Sequence, residues 1–418
     1  DAETAAFDAL GAFAPKPAAF SREAAEAVCI TKGRFLRHLV NRNLLEVAGD
    51  RLAIHQVTAN LARKRLEETK QLDVAQSRHA TFYFSLVNED QGDWRRIDGA
   101  YDQIHWAWKH VEDDECLKWI WALHEYQMRR GPLTDYIAWH QRGHTWARVS
   151  RRRMEVARLL SNLGRASLEE RHPEEAMSLL VESLPISHEQ GDRRWEAKTL
   201  NSIGDVYRKT GHPDEALAKY EEALPIRRDV GDRAGEAATL NNMGLVYLNK
   251  EQPKDAIEYL HNALQIRREM PKHDPAGEAR TLSDLGKAYY DDGRLSDALP
   301  LFEEAFSKMQ DAGHRYGQAM TLNHMGEVYR SEGQPSEAQQ CYEQALSIYR
   351  VFGHRSGEAL TLWYIAFLLH VLDHTPEAIT RLREAITLFH DGLTRDVDGN
   401  TIARYEQFLQ QLQSQTNP

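Results

Sequence analysis

From about residue 152 onward, the apolar positions of this chain fall into a pattern that restarts every 40 residues. The strings "TLNSIGDVY" at 199–207, "TLNNMGLVY" at 239–247 and "TLNHMGEVY" at 321–329 are versions of one another, with a looser "TLSDLGKAYY" at 281–290. Aligned on their glycine, the registers are Gly164, Gly204, Gly244, Gly286 and Gly326, with Ala366 in a sixth slot. Every spacing is 40 except the 42 between Gly244 and Gly286. Twelve residues after each of these stands an alanine (Ala176, Ala216, Ala256, Ala298, Ala338, Ala378), and seven further on a second small residue. Agreement of six registers at three positions defines an internal repeat.

Within one unit the periodicity is helical. Leu200, Ile203, Gly204 and Tyr207 recur at i, i+3, i+4 and i+7, the buried stripe of a helix. The stretch "KTGHPDEA" interrupts it, with Gly211 suited to a helix end and Pro213 to the first turn of the next. Ala216, Tyr220, Ala223 and Leu224 form the second stripe. A single helical hairpin cannot bury its own apolar faces, so successive hairpins must stack. The fold class predicted is all-α: six hairpins in a solenoid. Leu200, Gly204, Tyr207, Ala216, Tyr220 and Ala223 resemble the W-x2-L-G-x2-Y…A-x3-F…A pattern of the tetratricopeptide repeat. The long period is similar to that of kinesin light chains and bacterial regulators, and the resemblance covers about 152–390. It implies a superhelix whose first helices line a concave surface.

On the helical wheel Lys198, Asn201, Asp205 and Arg208 make a polar stripe roughly 120° from the core stripe. Equivalent slots hold Asn241; then Arg280, Ser283, Lys287 and Tyr290; then Asn323, Glu327 and Arg330. By the resemblance this stripe is the ligand face. Side-chain amides both donate and accept, so the asparagines are expected to grip the main chain of a protein or peptide ligand, with the varied charges setting specificity. The sixth unit departs from this, with Leu360, Trp363, Phe367 and His370 in the polar slots. Either Trp363 and Phe367 form an apolar ligand pocket, or the amphipathic tail "TIARYEQFLQQLQ" (401–413) caps them.

The front of the chain lacks the repeat. Residues 1–70 read as three helices, then a β-hairpin in which Leu45/Val47 and Leu52/Ile54 alternate around Ala48-Gly49-Asp50, then a fourth helix. That order is a winged helix. Residues 71–150 read as four aromatic-rich helices broken near Asp93 and Gly131-Pro132, 151–390 as the repeat array, and 391–418 as a capping helix and tail. A winged helix raises DNA binding through Lys32, Arg34 and Arg37. "FLRHLVNRNLLEVAGDRLAIHQVTANLARKRL" instead resembles the winged helix that follows the nucleotide-binding module in signal-transduction ATPases with numerous domains. In that family a Met-His-Asp-like motif ends the wing and its histidine contacts ADP. Here it is Ile54-His55-Gln56, so His55 matches and the aspartate does not. The resemblance implies a nucleotide-binding module upstream of Asp1, ATP or ADP with Mg held there, and a parent that oligomerises when an inducer relieves the closed, ADP-bound state.

Composition narrows the function without naming it. The formal charge of −11 argues against broad nucleic-acid binding, which needs a basic surface. Three scattered cysteines, Cys29, Cys116 and Cys341, fit a reduced, cytoplasmic setting. The longest apolar run, 359–372, is too short to span a bilayer. No G-x-x-x-x-G-K-[ST] loop or nucleophile motif occurs, and His140 and His144 at i, i+4 lack a third metal ligand. The reading is therefore a regulatory sensor, not an enzyme, with no cofactor in this chain. A stand-alone peptide-binding adaptor and a DNA-binding regulator are the alternatives.

Overall fold

The computed structural model describes residues 2–89, 94–170, 172–271, 274–352, 354–390 and 401–416. The chain divides into two compact units, Asp1–Arg152 and Arg153–Pro418.

In the first unit, α1 (Ala2–Ala9) runs into a short 3-10 turn at Leu10–Ala12. There follow β1 (Ala19–Phe20), α2 (Arg22–Cys29), α3 (Gly33–Asn41), β2 (Glu46–Ala48), β3 (Arg51–Ala53) and α4 (Gln56–Glu68). Ser21 caps α2, its hydroxyl accepting from the Ala24 N–H at 3.1 Å. The hairpin is present, turning at Gly49 with φ +66°, where glycine carries no Cβ penalty. It belongs to a three-stranded antiparallel sheet in the order β1-β3-β2, Ala19 and Glu46 flanking Ala53. β1 escaped the sequence reading because two residues are too few to show alternation. Val47 is exposed on the edge strand while Leu52 is fully buried, so the alternation expected of β2 does not produce a buried face there.

Four more helices complete this unit: α5 (Leu72–Glu89), α6 (Trp94–Trp108), α7 (Cys116–Arg129) and α8 (Leu133–Val149). The break at Gly131-Pro132 separates α7 from α8; Asp93 lies outside the described residues. Helix α5 closes the core of the front helices. Phe13 stacks on Phe20 at 4.1 Å, and His79 and Tyr83 of α5 are buried in series against Phe13. Trp108 and Trp139 stack at 4.2 Å between α6 and α8.

The second unit is six helical hairpins: α9 (Arg153–Glu169) with α10 (Pro173–Glu189), α11 (Arg193–Lys209) with α12 (Pro213–Asp229), and α13 (Arg233–Asn249) with α14 (Pro253–Glu269). The remaining three are α15 (Pro275–Asp291) with α16 (Leu295–Asp311), α17 (Arg315–Ser331) with α18 (Pro335–Phe352), and α19 (Arg355–Val371) with α20 (Thr375–His390). A last helix, α21 (Thr401–Thr416), follows. The repeated glycine has a direct cause. A Cβ on Gly204 would lie 2.6 Å from Tyr220 Cε1, and Tyr220 cannot retreat because it is fully buried and its hydroxyl donates to Asp205 at 2.7 Å. The same slot of the other hairpins presses Leu180, Leu260, Phe302 and Tyr342 onto Gly164, Gly244, Gly286 and Gly326.

Hairpins are joined by polar contacts that the apolar pattern does not announce. Glu236, almost fully buried, accepts from Arg228 of the preceding helix and Arg233 of its own first turn, both at 2.8 Å. Glu196 and Glu358 repeat this arrangement with His188 and Arg193, and with Arg350 and Arg355. First helices of neighbouring hairpins also touch one another directly, and so form the inner surface of the superhelix.

Candidate functional site

The recurrent asparagine faces the next repeat. Thr239 Oγ1 donates to Asn201 Oδ1 at 3.0 Å, and Asn323 Nδ2 donates to Thr361 Oγ1 at 2.9 Å. Thr199 Oγ1 makes the same kind of step to Ser161 Oγ at 3.1 Å. Asn201, Asn241 and Asn323 are each buried, as is Ser283. The expectation that these four stand open on the groove is therefore corrected: period-40 stacking brings position i of one first helix against position i+38 of the chain, and the small polar side chains pair there.

The ladder fails at its centre. The 42-residue spacing precedes α15, and there Thr281 accepts from Arg267 Nε at 3.0 Å in place of pairing with Asn241. Asn241 Nδ2 donates instead to Asp284 Oδ2 at 2.7 Å, which leaves its Oδ1 buried without a partner. Ser283 Oγ and Thr321 Oγ1 one step on are also unpaired, serine being too short to span the gap that asparagine spans.

Beside this break lies a cavity of about 400 Å³ on the inner surface, bounded by α9, α11, α13 and α15. Basic side chains on its wall outnumber acidic ones seven to two. Arg208 sits 3.8 Å from Asp205, and Asp205 also accepts from Tyr220, Asn201 and Asn242. Lys198 rests 3.7 Å over the Trp195 ring and donates to Asn162. Arg227 and Arg267 come from the second helices α12 and α14 and are almost fully buried, tied to Asp232 at 2.9 Å and Asp274 at 3.0 Å. Burial lowers both guanidinium pKa values against these carboxylates. Burial likewise raises the Asp284 carboxyl, opposed by the Asn241 hydrogen bond and by Arg280, Arg208 and Arg267. Arg280 is exposed, and neither it nor Arg165 has an ion pair among the described residues. The buried arginines were missed in the sequence because they lie on the second helices, outside the first-helix stripe. Their signal was the Arg227…Asp232 and Arg267…Asp274 pairing across the turn.

Farther along, the predicted residues leave this cluster. Lys287 pairs with Asp291 on its own helix, and Tyr290 reaches Ser331 at 3.1 Å. Glu327 pairs with Arg330 at 3.1 Å and accepts from Tyr342, while Arg330 lies over the Phe367 ring at 5.1 Å. Trp363 and Phe367, offered as ligand contacts, are covered by α21. Tyr405 stacks on Trp363 at 4.5 Å with the rings 9° apart, and Phe408 meets both Trp363 and Phe367. The amphipathic stripe of α21 satisfies this apolar face from within the chain.

In the first unit His55 is exposed, and its Nδ1 accepts from the Val57 N–H at 3.3 Å to cap α4. Lys32, Arg34 and Arg37 are exposed around the start of α3. His140 is fully buried with its Nδ1 on the Tyr136 carbonyl at 2.8 Å. Burial pushes the thiols of Cys29 to about 12 and of Cys116 and Cys341 to about 11, so none is poised as a thiolate nucleophile. Among the described residues no helix is long and apolar enough to cross a membrane.

The tetratricopeptide repeat family matches residues 155–229, 235–311 and 317–390, more than half of the chain, and the chain belongs to that family. No curated protein matches the sequence. Among solved structures, the chain is similar to a Signal Transduction ATPase with Numerous Domains protein with a tetratricopeptide repeat sensor from Pyrococcus horikoshii. The TM-score is 0.57 at 15% identity, over 92% of this chain and 56% of that one. This chain thus spans little more than half of that relative's length. It is also similar to a Rap protein complexed with Competence and Sporulation Factor (TM-score 0.53, 10% identity, 82% of this chain and 98% of that one). The apo form of RapI gives 0.50 at 16% identity, over 63% and 94%.

Proposed function

We propose that this chain is the sensor and relay region of a signal-transduction ATPase: the array captures a protein or peptide inducer on the inner surface of its first helices, and the front unit passes that event to a nucleotide switch outside this chain. The observation that carries the binding role is the cavity at the ladder break, whose wall on the first helices is strongly basic. Concave sites with a few convergent polar groups are where ligands bind. Support for the relay role comes from the likeness over nearly the whole chain, front unit included, to the Pyrococcus horikoshii protein. In this reading ATP or ADP with Mg is held by the module beyond Asp1, His55 supplies one contact to it, and the inducer favours an open, oligomerising form. An inducer shifts that balance only by binding the two forms unequally.

The experiment that tests the relay is to sequence the reading frame upstream of the codon for Asp1. A G-x-x-x-x-G-K-[ST] loop after a hydrophobic strand supports the switch. A start codon close by without that loop removes it, and leaves a peptide-binding adaptor.

A further inference from the structure

We propose that a cavity in the first unit, between α5 and the connection from α6 to α7, binds an aliphatic polyamine, with its ammonium groups at the carboxylates of Asp73 and Glu112 and its hydrocarbon stem along Phe84 and Trp119. The cavity holds about 360 Å³, within the range of small-molecule sites, and the inference does not depend on the ligand reading of the array.

The charge of the wall has one sign. Asp73, Glu112 and Glu115 line it, and no lysine or arginine does. Glu115 is paired with Lys118 at 2.6 Å, whereas Asp73 and Glu112 are exposed and enter no ion pair among the described residues. Two neutral groups of the wall are acceptors as well. Thr81 Oγ1 donates its proton to the Ser77 carbonyl at 2.8 Å, so toward a ligand it can only accept. His110 Nδ1 lies 2.9 Å from the Trp106 carbonyl, which places the ring proton on Nδ1 and leaves a lone pair on Nε2. Desolvation lowers the pKa of His110 against that hydrogen bond, and Arg63 and Lys109 lower it further, which keeps the ring neutral at pH 7. Carboxylates and committed acceptors together call for a ligand rich in charged N–H donors.

Two observations favour an organic cation over a metal ion. Among the described residues no set of three or more His, Cys, Asp and Glu is placed to hold a metal. The floor, moreover, is apolar: Val111 and Trp119 are buried, and the half-buried Phe84 ring meets Trp119 at 5.5 Å. A hydrated metal ion gains nothing from that surface, while methylene groups gain by burial and an ammonium is attracted to a ring face. The two unpaired carboxylates come from different elements, Asp73 at the start of α5 and Glu112 beyond α6, which favours several ammonium groups on one stem over a single one.

The test is isothermal titration calorimetry of spermidine into the full chain at low salt, with two variants that carry the same charge change. Asp73→Asn/Glu112→Gln alters the cavity, and Glu182→Gln/Glu221→Gln alters exposed positions on α10 and α12. All four residues are exposed and outside the ion pairs of the described residues, so circular dichroism should show both variants folded. Expected are one spermidine site per chain, roughly tenfold or greater weakening in the cavity variant, and no change in the other. Hexaamminecobalt(III) matches the charge and the N–H donors of spermidine without a hydrocarbon stem, and should bind more weakly. Equal weakening in the two variants would mean diffuse attraction to a chain of formal charge −11, and overturns the assignment. An unaffected cavity variant, equal affinity for hexaamminecobalt(III), or no binding of spermidine overturns it too.

Discussion

Arg227 Nη1 lies 2.9 Å from Asp232 Oδ2 across the turn between α12 and α13, while Met309 and His314 fill the same two places between α16 and α17. Asp232 Oδ1 accepts from the Gly235 N–H at 3.2 Å, and His314 Nδ1 accepts from the Gly317 N–H at 3.0 Å, so both residues cap their helices. The cap is charged where the buried neighbour is a guanidinium and a neutral ring where that neighbour is apolar. Arg227→Met should therefore cost about 3 kcal/mol by stranding Asp232. Arg227→Met/Asp232→His should recover most of that, as measured by urea denaturation. Equal losses in the single and double variants would refute the exchange.

The ladder gives a contrast between two neighbouring polar sites. Asn323→Ala removes the partner of buried Thr361 and should destabilise the array by about 1–3 kcal/mol. Ser283→Ala should be neutral or slightly stabilising, because its hydroxyl is fully buried and unpaired. Chemical denaturation of both variants checks the pair.

Gly204→Ala adds a methyl 2.6 Å from the Tyr220 ring. Overpacking of about 2–3 kcal/mol outweighs the ~1 kcal/mol gained in helix propensity. The thermal midpoint should fall, and Gly204→Ala/Tyr220→Leu should not recover it fully, since Leu180 and Leu260 press equally closely on glycine in their own repeats.

His79 gives the front unit a defined pH dependence. Burial, only partly offset by the hydrogen bond to Gln103, lowers its pKa to about 4. The neutral ring is favoured in the folded state, so its contribution is complete above about pH 6.5 and is lost as pH falls toward 4. The loss approaches about 3 kcal/mol. Urea melts of the front unit, followed by tryptophan fluorescence at pH 7, 5 and 4, should show this fall. His79→Phe should flatten it relative to wild type.

Phe408→Ala uncovers Trp363 and Phe367 at the end of the array. The expected cost is about 3 kcal/mol, confined largely to the last hairpin because each repeat leans on its neighbours. Amide exchange of α19 should accelerate while that of α11 stays unchanged.

How much was legible in the sequence varies with the length of the signal. Six registers of Gly, Ala and a second small residue made the hairpins readable, since a close helix approach permits little else at Gly204 and Ala216. The winged hairpin was readable from Leu52, Ile54 and Gly49, but β1 was not, two residues being below any periodic signal. The asparagine stripe was located correctly on the first helices and assigned to the wrong neighbour.

By itself, then, the chain determined its helical period, its stacking and its family, because those depend on which residues can be buried at each turn of a helix. Only the tertiary structure decided what the polar slots face. A stripe roughly 120° from the core stripe can meet solvent, ligand or the adjacent repeat, and the outcome turned on contacts made about 38 residues apart. Asn201 and Asn323 meet a threonine, Trp363 meets α21, and Asn241, left by Thr281 to Asp284, keeps one buried oxygen without a partner.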